Sequence, residues 1–262
     1  MRKFLKNIQK SLGGITAMVR LDKFLADAGY GTRNEVKKLI RSRQVSVHDA
    51  IVTKPEQKID ADADVISVKG ERVSYTRFHY YLFHKPGGCV TAKTDPKDQT
   101  VMDFFPEELR GKLSPVGRLD KDTEGLLLVT NDGELNHRLT SPAYHQPKTY
   151  YARLDGPVPR EAVELFSHGV DIGDEKQTLP ASLSILPDET RDGEIIYAAQ
   201  LTIGEGRYHQ VKRMFQEVDC RVIYLKRLSM GTLSLGNLPK GKYRPLTEAE
   251  QKALKKECEM KG

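Results

Sequence analysis

The run Leu126-Leu127-Leu128-Val129-Thr130 constrains this chain most. It is entered from Gly125 and left through Asn131-Asp132-Gly133, so it reads as a short strand inside a hydrophobic core. Such a strand needs neighbours. Residues 80–83, 148–154, 181–186, 195–203 and 221–225 are further β-rich runs, separated by Gly-, Pro- and Asp-rich breaks. Helical spacing lies between them at 133–140, 160–168 and 209–218. The mixture predicts an α+β domain over residues 80–248, built on a mainly antiparallel mixed sheet. Thr247 and Glu250 form a capping box that opens a charged C-terminal helix, and residues 249–262 are expected to fray as a charged C-terminal tail.

Upstream of residue 80 the pattern changes. Leu21, Phe24, Leu25 and Ala28 fall at helical spacing, and Gly29-Tyr30-Gly31 stops the helix. Thr32 to Glu35 is a capping box that opens a second helix. Val36, Leu39 and Ile40 form its apolar face, while Arg33, Lys37 and Arg41 follow one another at one-turn spacing on another face. Residues 45–47 and 51–52, around His48-Asp49, read as a hairpin, with a further strand over 64–68. The prediction is a small helix–helix–hairpin domain over 18–70. A flexible basic extension, 1–17, precedes it and a polar linker, 71–79, follows it.

Charge sharpens this division. Residues 1–77 hold 16 Lys+Arg and 9 Asp+Glu, an excess of +7 within a chain total of +6. A basic excess confined to one small module points to a polyanionic partner. Three cations in a row on one helix face suit a backbone of phosphates, although a solvated face has the same appearance.

Three segments of the larger domain hold candidate chemistry. In V-G-R-L-D-K-D-T-E-G, residues 116–125, Arg118, Asp120, Asp122 and Glu124 sit in a turn beside the core strand. A loop mounted on a rigid strand is a good support for one reactive carboxylate. Asp120 and Asp122 also admit a metal or glycosidase reading, but no metal-ligand spacing accompanies them, and carboxylates two residues apart in one turn tend to diverge. In H-Q-P-K-T-Y-Y-A-R-L, residues 145–154, period two sends Tyr150 and Tyr151 to opposite faces. Tyr150 reads either as a core residue or as a base-stacking platform. In L-T-I-G-E-G-R-Y-H-Q-V-K-R-M-F, residues 201–215, Arg207, Lys212 and Arg213 gather at a helix N-terminus, where anions are favoured. The G-x-G-x-x-Q pattern there lacks the third glycine of a dinucleotide fingerprint. His209 is expected to serve as a hydrogen-bonding group.

Taken in this order, the three segments resemble the pseudouridine synthases of the RsuA type. R-L-D-K-F-L-A, G-T-R-N-E-V-K-K-L-I and V-S-V-H-D-A-I-V, within residues 19–70, resemble the S4-like RNA-binding module shared with the fourth small-subunit ribosomal protein. This chain has His48-Asp49 where the family usually has Asn-Gly or Asp-Gly in the hairpin turn. The resemblance implies an isomerase that converts uridine to pseudouridine in structured RNA without a cofactor or metal. It implies Asp120 as the catalytic aspartate, Tyr150 stacked on the target base, and Lys212 paired with the aspartate in a buried couple. Arg118 would hold the flipped nucleotide or its vacated space. Arg207, Gln210 and Arg213 would contact RNA, as would Arg33, Lys37 and Arg41 of the small module, while Asp122 would hold the loop.

R-Y-H-Q-V-K-R-M is typical of the small-subunit branch of the family, which implies ribosomal RNA as partner and uridine 516 of 16S rRNA as target. A 23S rRNA enzyme and a non-catalytic ribosome-assembly factor of the same fold are the rival readings. Three scattered cysteines exclude a disulfide framework, and no run of 18 apolar residues exists. The expectation is a cytoplasmic protein, monomeric and off the membrane.

Overall fold

The computed structural model describes residues 18–61, 63–73, 78–141 and 144–259. The extension expected over 1–17 lies outside them. The chain divides into two compact units, Met1–Arg77 and Phe78–Gly262.

The first unit runs β1 (Met18–Arg20), α1 (Leu21–Asp27), α2 (Arg33–Arg41), β2 (Val45–Val47), β3 (Ala50–Ile51), β4 (Lys58–Asp60), β5 (Ile66–Val68) and β6 (Glu71–Arg72). A four-stranded sheet in the order β3-β2-β5-β6 and a β1–β4 pair enclose a core of Leu21, Phe24, Leu25, Val36, Ile40 and Ile59. The capping box is present, with the Thr32 hydroxyl accepting from the Glu35 amide and Glu35 accepting from Thr32. The hairpin turn holds His48 at φ 47° and Asp49 at φ 67°. Two consecutive left-handed residues are what a two-residue hairpin loop needs, normally at Asn-Gly. Here the contact of His48 Nε2 with Asp64 Oδ1, 2.8 Å, helps hold a turn that has no glycine. Strands β1 and β4 were not legible in the sequence, and β6 occupies the start of the expected linker.

The second unit is built on a ten-stranded sheet. Its strands are β7 (Tyr80–Lys85), β8 (Ser114–Pro115), β9 (Glu124–Thr130), β10 (Lys148–Leu154), β11 (Ser182–Ile185), β12 (Glu189–Arg191), β13 (Glu194–Ile203), β14 (Val222–Met230), β15 (Leu233–Ser234) and β16 (Tyr243–Pro245). The helices are α3 (Glu107–Arg110), α4 (Gly133–Thr140), α5 (Ala162–His168), α6 (Gln210–Gln216) and α7 (Glu248–Glu259). The main order is β11-β13-β10-β14-β9-β7-β16, antiparallel except where β14 meets β9. Alternation along β9 sends Leu127 and Val129 into one core, with Phe83, Phe166 and Phe215, and Leu126 and Leu128 into the other, with Leu135 and Leu254.

The parallel β9–β14 contact depends on Gly125. This residue has φ +110°, and a Cβ there would fall 2.2 Å from the Arg227 carbonyl oxygen. Only glycine allows the strand that leaves the Asp120 turn to approach β14 so closely.

Two expectations are corrected. Strand β14 does not stop at residue 225: it continues through Lys226 and Arg227 to Met230, with Arg227 buried. Nor is the C-terminal helix α7 a frayed tail. Leu254 and Cys258 are buried in the second core, and Arg244 grips Glu250 through two hydrogen bonds of 2.7 Å. Glu250 also accepts from the Thr247 amide and hydroxyl. Its carboxyl is pushed down to about 2, chiefly by the Arg244 hydrogen bonds, against the cost of burial. A carboxyl lowered on folding stabilises the fold above its ordinary pKa and loses that contribution as pH falls. Glu250→Ala should therefore cost about 1 kcal/mol in urea unfolding at neutral pH. That deficit should shrink below pH 4.5 and be gone near pH 2.

Candidate active site

The Asp120 turn is held from beneath by one buried cation. Lys85 ends β7 and is 0% exposed. Its ammonium donates to the carbonyls of Pro86, Asp120, Lys121 and Thr123 at 2.9–3.2 Å. Burial pulls the Lys85 pKa down, opposed by the nearby Cys89, Asp122, Asp120 and Glu124. Thr91 adds a second fastening, donating from its hydroxyl to the Leu119 carbonyl and accepting from the Leu119 amide. Lys121 reaches Asp98 at 2.7 Å.

With its backbone fixed, Asp120 presents its carboxylate to the N-terminus of α6. Lys212 Nζ stands 3.5 Å from Asp120 Oδ2, and His209 Nε2 stands 3.6 Å from the same oxygen. Neither contact is a hydrogen bond, and among the described residues the Asp120 carboxylate accepts none. His209 caps α6 in the left-handed region, at φ 49°, and Tyr208 stacks on its ring at 3.8 Å. Tyr208 is 73% exposed.

Tyr150 lies on β10 directly opposite Leu201 and Arg227 of the neighbouring strands and is 7% exposed. Its ring lines a cavity of about 80 Å³ together with Asp120, Arg118, Ile203, Lys212 and Leu225. Arg118 is exposed, and its guanidinium has no hydrogen-bond partner among the described residues. The sequence-predicted trio of Asp120, Tyr150 and Lys212 is thus brought to one cavity, with Arg118 at its edge.

Two details differ from expectation. The Asp120–Lys212 couple is half-buried, with side chains 32% and 23% exposed, because the cavity opens to solvent. Asp122 reaches across to α6. Its carboxylate is 72% exposed and takes the Lys212 ammonium at 2.7 and 2.8 Å, so Asp120 and Asp122 converge on one cation. Burial tends to raise the Asp122 pKa, but the Lys212 hydrogen bond and charge outweigh it, leaving it lowered.

The remaining predicted contacts are split. Arg207 is spent on Glu205, Asp174 and the carbonyls of Lys176 and Gln177. Arg213 binds Asp174 at 2.6 Å and the carbonyls of Tyr208 and Ile172. Gln210 is buried and bridges Glu205 Oε1 and the Arg207 amide. All three tie loop 171–178 and the Gly204–His209 turn to α6. In the first unit, Arg33 and Arg41 are exposed and Lys37 half-buried along α2. Among the described residues no group of three His, Cys, Asp or Glu side chains could hold a metal ion, and no helix is long and apolar enough to cross a membrane.

Comparison with known proteins gives an RNA pseudouridylate synthase family model matching residues 79–217 and an S4 domain model matching 19–65. The chain is 45% identical to the uncharacterized RNA pseudouridine synthase YtzG of Bacillus subtilis, over 88% of this chain and 96% of that one. It is 40% identical to ribosomal small subunit pseudouridine synthase A of Haemophilus influenzae, over 91% and 100%. It is 38% identical to ribosomal large subunit pseudouridine synthase B of Bacillus subtilis, over 91% and 96%. A crystal structure of a pseudouridylate synthase superposes with a TM-score of 0.63 at 39% identity, covering 90% of this chain and 99% of that one.

The buried ammonium provides a test of how the turn is held. Lys85→Met takes the buried ammonium from four carbonyls, of which those of Asp120 and Lys121 keep a backbone N–H, so it should cost about 3 kcal/mol in thermal or urea unfolding. It should also lower turnover in the folded fraction, measured by correcting rates for the folded population.

Proposed function

This chain belongs to the RNA pseudouridylate synthase family, as an S4-containing synthase of the RsuA type, and from that premise we propose that Asp120, Tyr150 and Lys212 convert a uridine of ribosomal RNA to pseudouridine. The observation that supports this reading best is the Lys212 ammonium, 3.5 Å from Asp120 in a cavity walled by Tyr150.

The target base leaves its stack and lies against the Tyr150 ring, which recovers part of the unstacking cost. Arg118, with its donors uncommitted at the rim, holds the nucleotide or fills the space it left. Asp120 acts as an ionised carboxylate, by attack at C1′ or by removing a proton from the sugar. The N1–C1′ bond breaks, the base turns, and the C5–C1′ bond forms as the Asp120 carboxylate leaves C1′ or, on the other route, as the sugar regains its proton. The C5 proton is then lost to solvent, and N1 ends protonated, so atoms balance without a redox partner. Lys212 keeps negative charge on Asp120 as solvent is displaced by the base.

The substrate is rRNA, bound in part by the cationic face of α2. The likeness to the small-subunit enzyme and the R-Y-H-Q-V-K-R-M segment favour uridine 516 of 16S rRNA. The likeness to the large-subunit enzyme supports the alternative of a 23S rRNA target.

Transcripts of both rRNAs, tritiated at uracil C5, test the chemistry and the target together. Wild type should release tritium from the 16S transcript, and carbodiimide-stop primer extension should map the site. Release from 23S alone would replace the target. Asp120→Asn should slow release by about 10³-fold or more, and Lys212→Met by about 10²-fold, both with unchanged melting temperature. Unchanged turnover in Lys212→Met would remove that residue from the mechanism. Replacing Arg33, Lys37 and Arg41 with Ala should weaken RNA binding and lower the slope of log affinity against log salt by about two to three units. Turnover at saturating RNA should be retained.

A further inference from the structure

Two consecutive side chains of the 201–215 segment, Tyr208 and His209, take no part in the reaction described above. His209 lines the Asp120 cavity, with its Nε2 3.6 Å from Asp120 Oδ2. Tyr208 packs on that imidazole. The two rings lie face to face, 3.8 Å between centroids and 18° from parallel, so one face of Tyr208 is covered. The residue is nonetheless 73% exposed, which leaves its other face to solvent. Every other phenylalanine and tyrosine among the described residues is buried or half-buried.

The ring is exposed without being loose. The Arg207 carbonyl accepts from the Gln210 amide at 3.2 Å, the Tyr208 carbonyl from Arg213 Nη1 at 3.1 Å, and the His209 carbonyl from the Arg213 amide at 3.0 Å. Arg207 and Arg213 are in turn anchored on Asp174. His209 is held at φ 49°, a left-handed conformation that a residue with a side chain adopts at a cost and keeps where its surroundings impose it. An aromatic ring kept in water gains nothing from burial, so stability does not account for this arrangement. A ring on a backbone fixed in this way loses little freedom when a partner stacks on it.

We propose that the free face of Tyr208 stacks on the base next to the extruded uridine in the RNA strand. The proposal rests on the reading of the Asp120 cavity as the site of pseudouridine formation. When the uridine leaves its stack, each base beside it loses an aromatic neighbour. Tyr208 touches the imidazole that lines the cavity taking the uridine, so its free face is within reach of the adjoining nucleotide and replaces the face that the uridine withdrew. Every base has a π-face, so the contact accepts purines and pyrimidines alike. It holds the RNA equally before and during the chemistry, and so acts on binding and not on turnover.

The chain contains no tryptophan, so Tyr208→Trp installs a single fluorophore at the proposed contact. The test uses the full chain and short RNAs built around whichever uridine the primer-extension mapping identifies, with each flanking nucleotide made abasic in turn. Tritium release by wild type from the intact RNA checks the underlying reading first and separately. Tyr208→Trp should keep KM within about twofold of wild type, and intact RNA should quench its emission. Making one flanking position abasic should abolish that quenching and raise the wild-type KM by about tenfold with kcat unchanged. Exchanging purine and pyrimidine there should leave KM within about threefold. Tyr208→Leu changes an exposed position and should melt with wild type. It should show the raised KM on intact RNA and no added penalty on that abasic RNA. A wild-type KM in Tyr208→Leu, or quenching that survives every abasic substitution, would overturn the proposal. So would abasic penalties of equal size in wild type and Tyr208→Leu. A loss of kcat in Tyr208→Leu at unchanged KM would overturn it as well, because the ring would then serve only to seat His209 beside Asp120.

Discussion

A single ammonium beneath four carbonyl oxygens organises the catalytic unit. Lys85 is a charge removed from water, and it is tolerable because its donors meet backbone oxygens, three of them on the loop that bears Asp120 and one at Pro86. The same contacts that make the charge bearable fix the loop's path. Gly125 works to the same end, letting the strand after the loop close on β14 where a side chain would collide with the Arg227 backbone. Asp120 therefore stands on a turn fastened at both ends to the middle of a ten-stranded sheet.

Facing that turn, the start of α6 is tied down by ion pairs. Asp174 receives Arg207 and Arg213, and Glu205 receives Arg207 and the Gln210 amide. These residues looked like an anion site in the sequence, because cations at a helix N-terminus commonly are one. Their partners, at 171–178, lie some thirty residues upstream, and nothing in local spacing announces them. Lys212 differs from its neighbours in pointing toward Asp120 and Asp122 across the cavity.

What was legible followed periodicity and local signals. Both capping boxes, the β10 strand and the α4 helix appear where their patterns put them, because caps, alternation and helical spacing act over a few residues. The role of Lys85 was not legible. A lysine at a strand end before Pro86-Gly87-Gly88 reads as a surface charge, and only the fold brings the carbonyls of 120–123 to it. The early end assigned to β14 has the same origin: Lys226 and Arg227 break an apolar pattern, yet in three dimensions they pair with Glu124 and Gly125. The charged C-terminal segment looked like a tail because Leu254 and Cys258 are too sparse to signal a buried face. Asp120, Tyr150 and Lys212 stood out through their motifs, while their convergence is a property of the sheet.

The carboxylate of Asp120 faces one ammonium and one imidazole, yet among the described residues no donor is bonded to it. Its main chain is clamped while its two oxygens keep their lone pairs unengaged. A carboxylate saturated with donors is a feeble base and a feeble attacker, so the division separates stiffness from reactivity. The scaffold supplies the aim, and the oxygens retain the electron density with which to react.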